Sequence, residues 1–253
     1  MVHEARNQVT SRSGVERIAA ALEVVAARGW VSAADLAADL GVDRSTGWRL
    51  ARSLEGIGWL QQDRHTRRYR LGLRLFELGT RALDGFDVRA EARRVMAELV
   101  SATGESADLA VRDGDAAVFV DTIDGTNEVR AFTRSGQRAG LHAIAAGKVF
   151  LAHMTPTEVD TYLRGPLVAY APATITDPAT LRDVIELTRH RGWGDNRGEL
   201  NPEAGGLAVP ILDADGACVA ALGLNVPLMR MGEENVTRLI GELLAATRRL
   251  TVN

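Results

Sequence analysis

Cysteine and lysine each occur once in the 253 residues, as Cys218 and Lys148. A single thiol excludes an internal disulfide, and with it a fold stapled in an oxidising compartment. The scarcity of lysine beside abundant arginine and alanine reflects a GC-rich coding sequence and carries no functional information. No apolar run approaches the roughly 20 residues that a membrane-spanning helix needs. The opening MVHEARNQVTSRSG has no apolar signal core, so a cytoplasmic protein with no membrane partner is expected. The motifs of catalysis are missing too. There is no Gly-x-Ser-x-Gly elbow, no Cys-x-x-Cys and no pair of histidines at metal spacing. Gly147-Lys148-Val149 matches the end of a phosphate loop without its upstream glycines or its following Ser or Thr, which leaves Lys148 as a structural or surface residue. His142 and His153 stand about three helical turns apart and cannot share a metal. Cys218 lies in an apolar stretch, where a thiol is a small hydrophobe. No catalytic residue, metal or cofactor is expected.

What is present suffices for two cored domains, since 46% of the residues are hydrophobic and the length is ample for two. The net charge of -3 conceals an asymmetry: residues 1–74 hold 12 arginines and 8 acids, net +4, whereas residues 75–253 hold 18 basic and 25 acidic residues, net -7. A basic front suits contact with phosphate; an acidic back does not.

Ile18, Leu22 and Val25 recur at helical spacing between Gly14 and Gly29, which predicts a first helix. Ser32 is placed to cap a short helix from Ala33 to Leu40, Gly41 to turn the chain, and Asp43 to cap a second helix from Arg44 to about Ile57. Two helices joined by a short Gly-containing turn form a helix-turn-helix. Leu50 and Leu54 point that second helix at a core. Arg44, Ser45, Thr46, Trp48, Arg49 and Arg52 are left outside, a donor-rich face of the kind that reads a major groove. The next stretch, WLQQDRHTRRYRLG, predicts a hairpin anchored by Trp59, Leu60, Tyr69 and Leu71. Its tip carries Arg64, His65, Arg67 and Arg68, as in a wing lying along a phosphate backbone.

The segments GVERIAAALEVV, VSAADLAADLGVDRSTGWRLARSLEGIGWL and RRYRLGLRLFELG together resemble the DNA-binding half of the isocitrate lyase regulator (IclR) family. The family's Ser-Thr pair followed by Arg is matched by Ser45, Thr46 and Arg49, and its Tyr-x-Leu-Gly by Tyr69 to Gly72. Gly47 departs from the pattern, standing where an apolar residue is usual. This predicts a weaker helix by about 1 kcal/mol relative to alanine and a lost core contact, with Trp48 packing sideways to compensate. Residues 73–86 are expected to form a linker helix, which the resemblance implies is used in dimerisation.

Beyond the linker the chain alternates helices and strands. A helix over Val88 to Thr103 precedes a hairpin turning at Asp113-Gly114-Asp115. EVRAFTR predicts a strand, LHAIAAGKVFLAHM a helix after Gly140, and further helices are expected near Pro156–Arg164 and Leu181–His190. A second hairpin turns at Asp215-Gly216, and a last helix runs from Glu233 to Leu250 with Val236, Leu239, Ile240, Leu243 and Leu244 on one stripe. Such a mixture suggests an antiparallel sheet with helices packed on it.

LHAIAAGKVFLA, RGWGDNRGEL and GGLAVPILDADGACVAALGLNVP also resemble the family's effector-binding domain. The expected architecture is therefore α/β (α+β): a winged helix-turn-helix in residues 1–72, the linker helix, and a GAF-like effector-binding domain in residues 87–253. The resemblance implies an effector site at Ala145, Ala146, Asn196, Glu199, Gly206, Ala221 and Gly223, with a structural role for the Gly and Ala positions equally open. The expected function is a ligand-responsive repressor. It would bind a pseudo-palindromic double-stranded DNA operator as a homodimer or homotetramer and respond to a small-molecule effector. An enzyme on the same fold and an architectural DNA-binding protein without a ligand are the alternatives. The effector is expected to be a small organic acid docking at the start of the helix that includes Ala143, Ala145 and Ala146, although Glu199 would repel a second carboxylate. An apolar or aromatic inducer is the competing possibility.

Overall fold

The computed structural model describes residues 13–82 and 88–250. The chain divides into two compact units, Met1–Gly85 and Phe86–Asn253.

In the first unit, local chemistry sets nearly every helix boundary. Helix α1 (Gly14–Arg28) opens on a capping box between Ser13 and Glu16 and ends at Gly29. Ser32 caps α2 (Ala33–Leu40), and Gly41 stops it in the left-handed region at φ 63°. Asp43 caps α3 (Arg44–Gly56). The hairpin β1 (Leu60–Gln62) and β2 (Tyr69–Leu71) pairs Leu60 with Leu71 and Gln62 with Tyr69. Val31 exchanges two backbone hydrogen bonds with Tyr69, stitching the hairpin to the start of α2. Val25, Leu36, Leu40, Ala51, Leu54, Leu60 and Tyr69 share one core. Two expected anchors contribute less: Trp59 is half-buried and Leu71 is exposed. Helix α4 (Leu73–Ala82) follows and buries none of its side chains. The rest of the expected linker, 83–86, lies outside the described residues.

In the second unit, α5 (Val88–Thr103) leads into β3 (Ser106–Asp113) and β4 (Ala116–Ile123). After a long irregular segment come β5 (Arg138–Gly140), a 3-10 turn (Leu141–Ala143), and helices α6 (Ala145–His153), α7 (Pro156–Arg164) and α8 (Pro178–Arg191). Strands β6 (Gly194–Arg197), β7 (Ala204–Leu212) and β8 (Cys218–Pro227) then precede α9 (Glu233–Thr247). The six strands form one antiparallel sheet in the order β5-β4-β3-β8-β7-β6. Ala110, Ala208 and Ala221 meet α6 in a core that also contains residues of α7 and α8. The alternate residues of the same strands face the side where α5 and α9 pack. Along α9 the apolar stripe is buried at Val236, Leu239, Ile240 and Leu243, whereas Leu244 is exposed.

Two expected elements differ from the fold. EVRAFTR, residues 128–134, is irregular rather than a strand, and its residues 129–134 line a cavity described below. The expected helix after Gly140 is broken at Ile144, whose φ of -135° and ψ of 152° are extended, so Ala143 sits in the 3-10 turn and α6 begins at Ala145.

Gly47 also reads differently in three dimensions. A Cβ there would lie 2.5 Å from Ala37 Cβ and 3.0 Å from the Ala33 carbonyl oxygen. The glycine therefore lets α3 close onto α2, and no packing by Trp48 replaces it: the indole is 55% exposed. Gly47→Ala should lower stability by about 1–3 kcal/mol through overpacking, against the gain of about 1 kcal/mol that helix propensity alone predicts. Urea unfolding separates the two by sign.

Candidate nucleic-acid surface and ligand cavity

On α3, Asp43 organises the exposed face. Its carboxylate accepts from the Thr46 backbone N–H (2.9 Å), the Ser45 hydroxyl (2.6 Å) and the Thr46 hydroxyl (2.7 Å). The hydroxyls of Ser45 and Thr46 and the Thr46 amide hold this carboxyl far below the usual range. Arg49 in turn donates to Thr46 Oγ1 at 3.1 Å. Arg44, Ser45, Trp48, Arg49 and Arg52 are exposed and Thr46 is half-buried. The Arg52 guanidinium lies 5.9 Å from the Trp48 ring and pairs with Glu55 at 3.2 Å.

The hairpin tip is built the same way. Asp63 accepts from the His65 and Thr66 amides and the Thr66 hydroxyl, and Arg67 adopts φ 60° to close the turn. Arg64, His65, Arg67 and Arg68 all project into solvent. A feature the sequence did not single out is Arg70, stacked 5.2 Å over Trp30 and bonded to Gln61.

The second unit contains a cavity of about 960 Å³. Its walls come from the sheet, the start of α6, the segment 129–134 and the loop 200–204. Five expected effector residues line it: Ala145, Ala146, Asn196, Gly206 and Gly223. The other two do not. Ala221 is fully buried in the apolar core against α6. Glu199 turns away from the cavity to meet Lys148, and the pair lies 2.6 Å apart with exposures of 8% and 2%. Lys148 also donates to the Asp195 carbonyl at 2.8 Å. The lysine is thus structural and not on the surface, and the repulsion expected from Glu199 is neutralised at its source. Asp108, Asn225 and Thr133, absent from the sequence expectation, line the cavity as well. Only their register on β3 and β8, or their place in an irregular segment, brings them there.

The residues weighed for catalysis are otherwise engaged. Buried His142 contacts the Tyr162 hydroxyl through Nδ1 at 2.7 Å and the Val168 carbonyl through Nε2 at 3.0 Å. His153 Nδ1 lies 2.9 Å from the Val149 carbonyl. Burial pushes the Cys218 thiol up to about 12. Among the described residues no group of three or more His, Cys, Asp or Glu is arranged to hold a metal ion, and no helix is long and apolar enough to cross a membrane.

Comparison with known proteins follows the same division. Residues 14–64 match the IclR helix-turn-helix domain, and residues 80–252 match the bacterial transcriptional regulator IclR C-terminal domain. The chain is 30% identical over 247 residues to the HTH-type transcriptional regulator KdgR of Escherichia coli, covering 96% of this chain and 93% of that one. It is 29% identical to the HTH-type transcriptional repressor AllR of the same organism, covering 86% and 80%. The crystal structure of an IclR homolog from Microbacterium hydrocarbonoxydans complexed with 4-hydroxybenzoate superposes with a TM-score of 0.79 at 28% identity, covering 94% of this chain and 99% of that one.

The buried pair makes a measurable demand. Lys148→Met strands Glu199 in a dry site and should cost about 3–5 kcal/mol in urea unfolding. Adding Glu199→Leu should recover most of that loss. A single variant no less stable than wild type would show that the pair is hydrated.

Proposed function

The chain belongs to the IclR family of bacterial transcriptional regulators, and from that membership we propose that it is a cytoplasmic, ligand-responsive repressor that acts without catalysis. In this reading residues 1–72 bind operator DNA, residues 73–86 link, and residues 87–253 sense a small molecule. The observation that carries the DNA-binding half is the pairing of an exposed, Asp43-organised α3 face with a cationic hairpin tip on one shared core. Arg49, with Arg44, Ser45, Thr46, Trp48 and Arg52, is assigned to the groove. Arg64, His65, Arg67 and Arg68 are assigned to phosphate. The name of AllR supports repression, and the ligand in the Microbacterium homolog supports an effector site in the cavity.

A single α3 reads too few base pairs for a specific operator, and twofold symmetry doubles them. Helix α4 supports a dimer, since Leu73 and Phe76 are each 73% exposed on it and such side chains are apolar surface left for a partner copy. A homodimer, or a dimer of dimers, on a pseudo-palindromic site follows.

Gel-shift titration against cognate and random duplexes tests these assignments. Arg49→Ala should weaken cognate binding by about 1–3 kcal/mol and relax specificity, while Arg67→Ala or Arg68→Ala should weaken all duplexes alike and flatten the salt slope by about one unit. Equal loss on both duplexes for Arg49→Ala would remove it from base contact. A footprint confined to one unrepeated half-site would remove the symmetric dimer.

A further inference from the structure

The cavity floor is a patch of sheet with two polar rows. One row runs Asn196, Gly206, Asn225 across β6, β7 and β8. The next row on the same face runs Ala208, Gly223, Asp108 across β7, β8 and β3. The two glycines give the polar side chains room to lie over the floor. A Cβ at Gly223 would be 2.6 Å from Asp108 Oδ1, and one at Gly206 would be 3.1 Å from Asn196 Nδ2.

Asp108 is 4% exposed, and among the described residues no cation stands against it. Asn225 Nδ2 donates to its Oδ2 at 2.6 Å, and Thr133 is the other group that faces it. The charged residues elsewhere in the lining are exposed: Arg130 pairs with Asp124 at 3.7 Å, Arg134 lies over Phe132, and Glu203 is on the loop. Lys148 is consumed by Glu199. Asn196, 8% exposed, has a side-chain oxygen with no partner among the described residues. A buried acid without countercharge and an unsatisfied amide oxygen are both costly in isolation. Asp108 lacks a countercharge and Asn196 Oδ1 a donor, and one donor-bearing group on a ligand would answer both.

We propose that Asp108 is a specificity-determining residue of this cavity, accepting with Asn196 Oδ1 a hydrogen bond from a hydroxyl or ammonium group on the effector. The proposal rests on the reading of the cavity as the effector site. An effector that ends in a second carboxylate is disfavoured at the floor, and an effector bare of donors leaves Asn196 Oδ1 unmet and the Asp108 charge uncompensated, the situation in which polar sites discriminate most strongly.

Burial lifts the Asp108 carboxyl to about 7, against the opposing hydrogen bonds of Asn225 and Thr133. The ionised form is the better acceptor. Affinity for a donor-bearing effector should therefore be full above that value and fall as pH drops through it, by up to about tenfold per unit. An effector that offers an acceptor instead would bind more tightly as pH falls, to the protonated carboxyl.

Calorimetry of the full-length protein with matched acids tests this. The probes are benzoate, 4-hydroxybenzoate and 4-(aminomethyl)benzoate, with butyrate, 4-hydroxybutyrate and 4-aminobutyrate as the flexible set. All keep their charge between about pH 6 and pH 8, so any pH dependence belongs to the protein. Within a set, the hydroxyl or the ammonium member should bind at least about tenfold tighter than its parent, and whichever does so identifies the donor. Asp108→Asn, which preserves shape, should abolish that preference and its pH dependence while leaving the parent acid within about threefold. Equal binding across a set, or tighter binding at low pH, overturns the role of Asp108 but leaves the cavity as effector site, provided that Ala145→Leu blocks binding. Binding that survives Ala145→Leu, or no binding by any probe, removes the cavity and the Asp108 proposal together.

Discussion

A lysine ammonium and a glutamate carboxylate, 2.6 Å apart and both out of water, tie the first turns of α6 to the loop between β6 and β7. Two buried charges are tolerable only while their geometry holds, so α6 cannot slide along the sheet without stranding one of them. Glu199 adds a second tether, since its backbone carbonyl accepts from the Thr174 hydroxyl at 2.6 Å, and the Thr174 hydroxyl oxygen itself accepts from the amides of Tyr170 and Ala171. The segment before α8, the helix α6 and the loop are thereby referenced to one point. Ile144 to Ala146 and Leu200 to Ala204, which wall the cavity, extend from either side of it. The cavity is thus pre-formed by a contact behind its wall rather than by anything inside it.

Small residues serve two opposite ends around this anchor. At Gly47 and Gly194 they permit contact: a Cβ at Gly194 would sit 2.5 Å from the Ala145 carbonyl oxygen, so glycine there lets β6 approach the beginning of α6. At Gly206 and Gly223 they leave bare floor over which Asn196 and Asp108 lie. Composition cannot separate these roles, because both appear as glycine in an apolar context. The atoms each glycine meets separate them, for Gly194 pairs with Ala208 and lies on the same sheet face as Gly206 and Gly223. Gly206 and Gly223 fall on the face that carries Asp108 and Asn225, and each has a polar side chain beside it.

This explains how much of the molecule was legible in the sequence. Ser32, Gly41 and Asp43 announced the helix-turn-helix because caps and left-handed turns are local chemistry, fixed within three or four residues. The helix expected near Pro156–Arg164 forms over those residues, where a Thr155 capping box starts it by the same kind of local chemistry. The family resemblance placed five of seven expected residues on the cavity wall. It could not place Glu199, whose partner Lys148 lies 51 positions away, nor find Asp108, whose neighbour Asn225 is 117 positions away. EVRAFTR failed differently: it alternates like a strand, yet it pairs with no strand of the sheet, and the place beside β4 at Ala116–Val118 is taken by β5.

Local chemistry also limits what the recognition face offers. A hydroxyl has one proton and two lone pairs, and the protons of Ser45 and Thr46 are committed to Asp43. What these side chains present outward is acceptor capacity, not the donor-rich surface that their residue types suggest. Thr46 already spends one lone pair on Arg49. Phosphate oxygens only accept, so in this arrangement neither hydroxyl can donate to the backbone of DNA without giving up its bond to Asp43. On the proposed reading, donation from this helix falls to Arg49, Arg44 and Arg52 and to the indole N–H of Trp48. The hydroxyls suit instead an amino group on a base edge, and that of Thr46 holds Arg49 in one orientation before contact. A side chain already ordered loses less entropy when it binds, and the same cap that starts α3 thereby aims its central arginine.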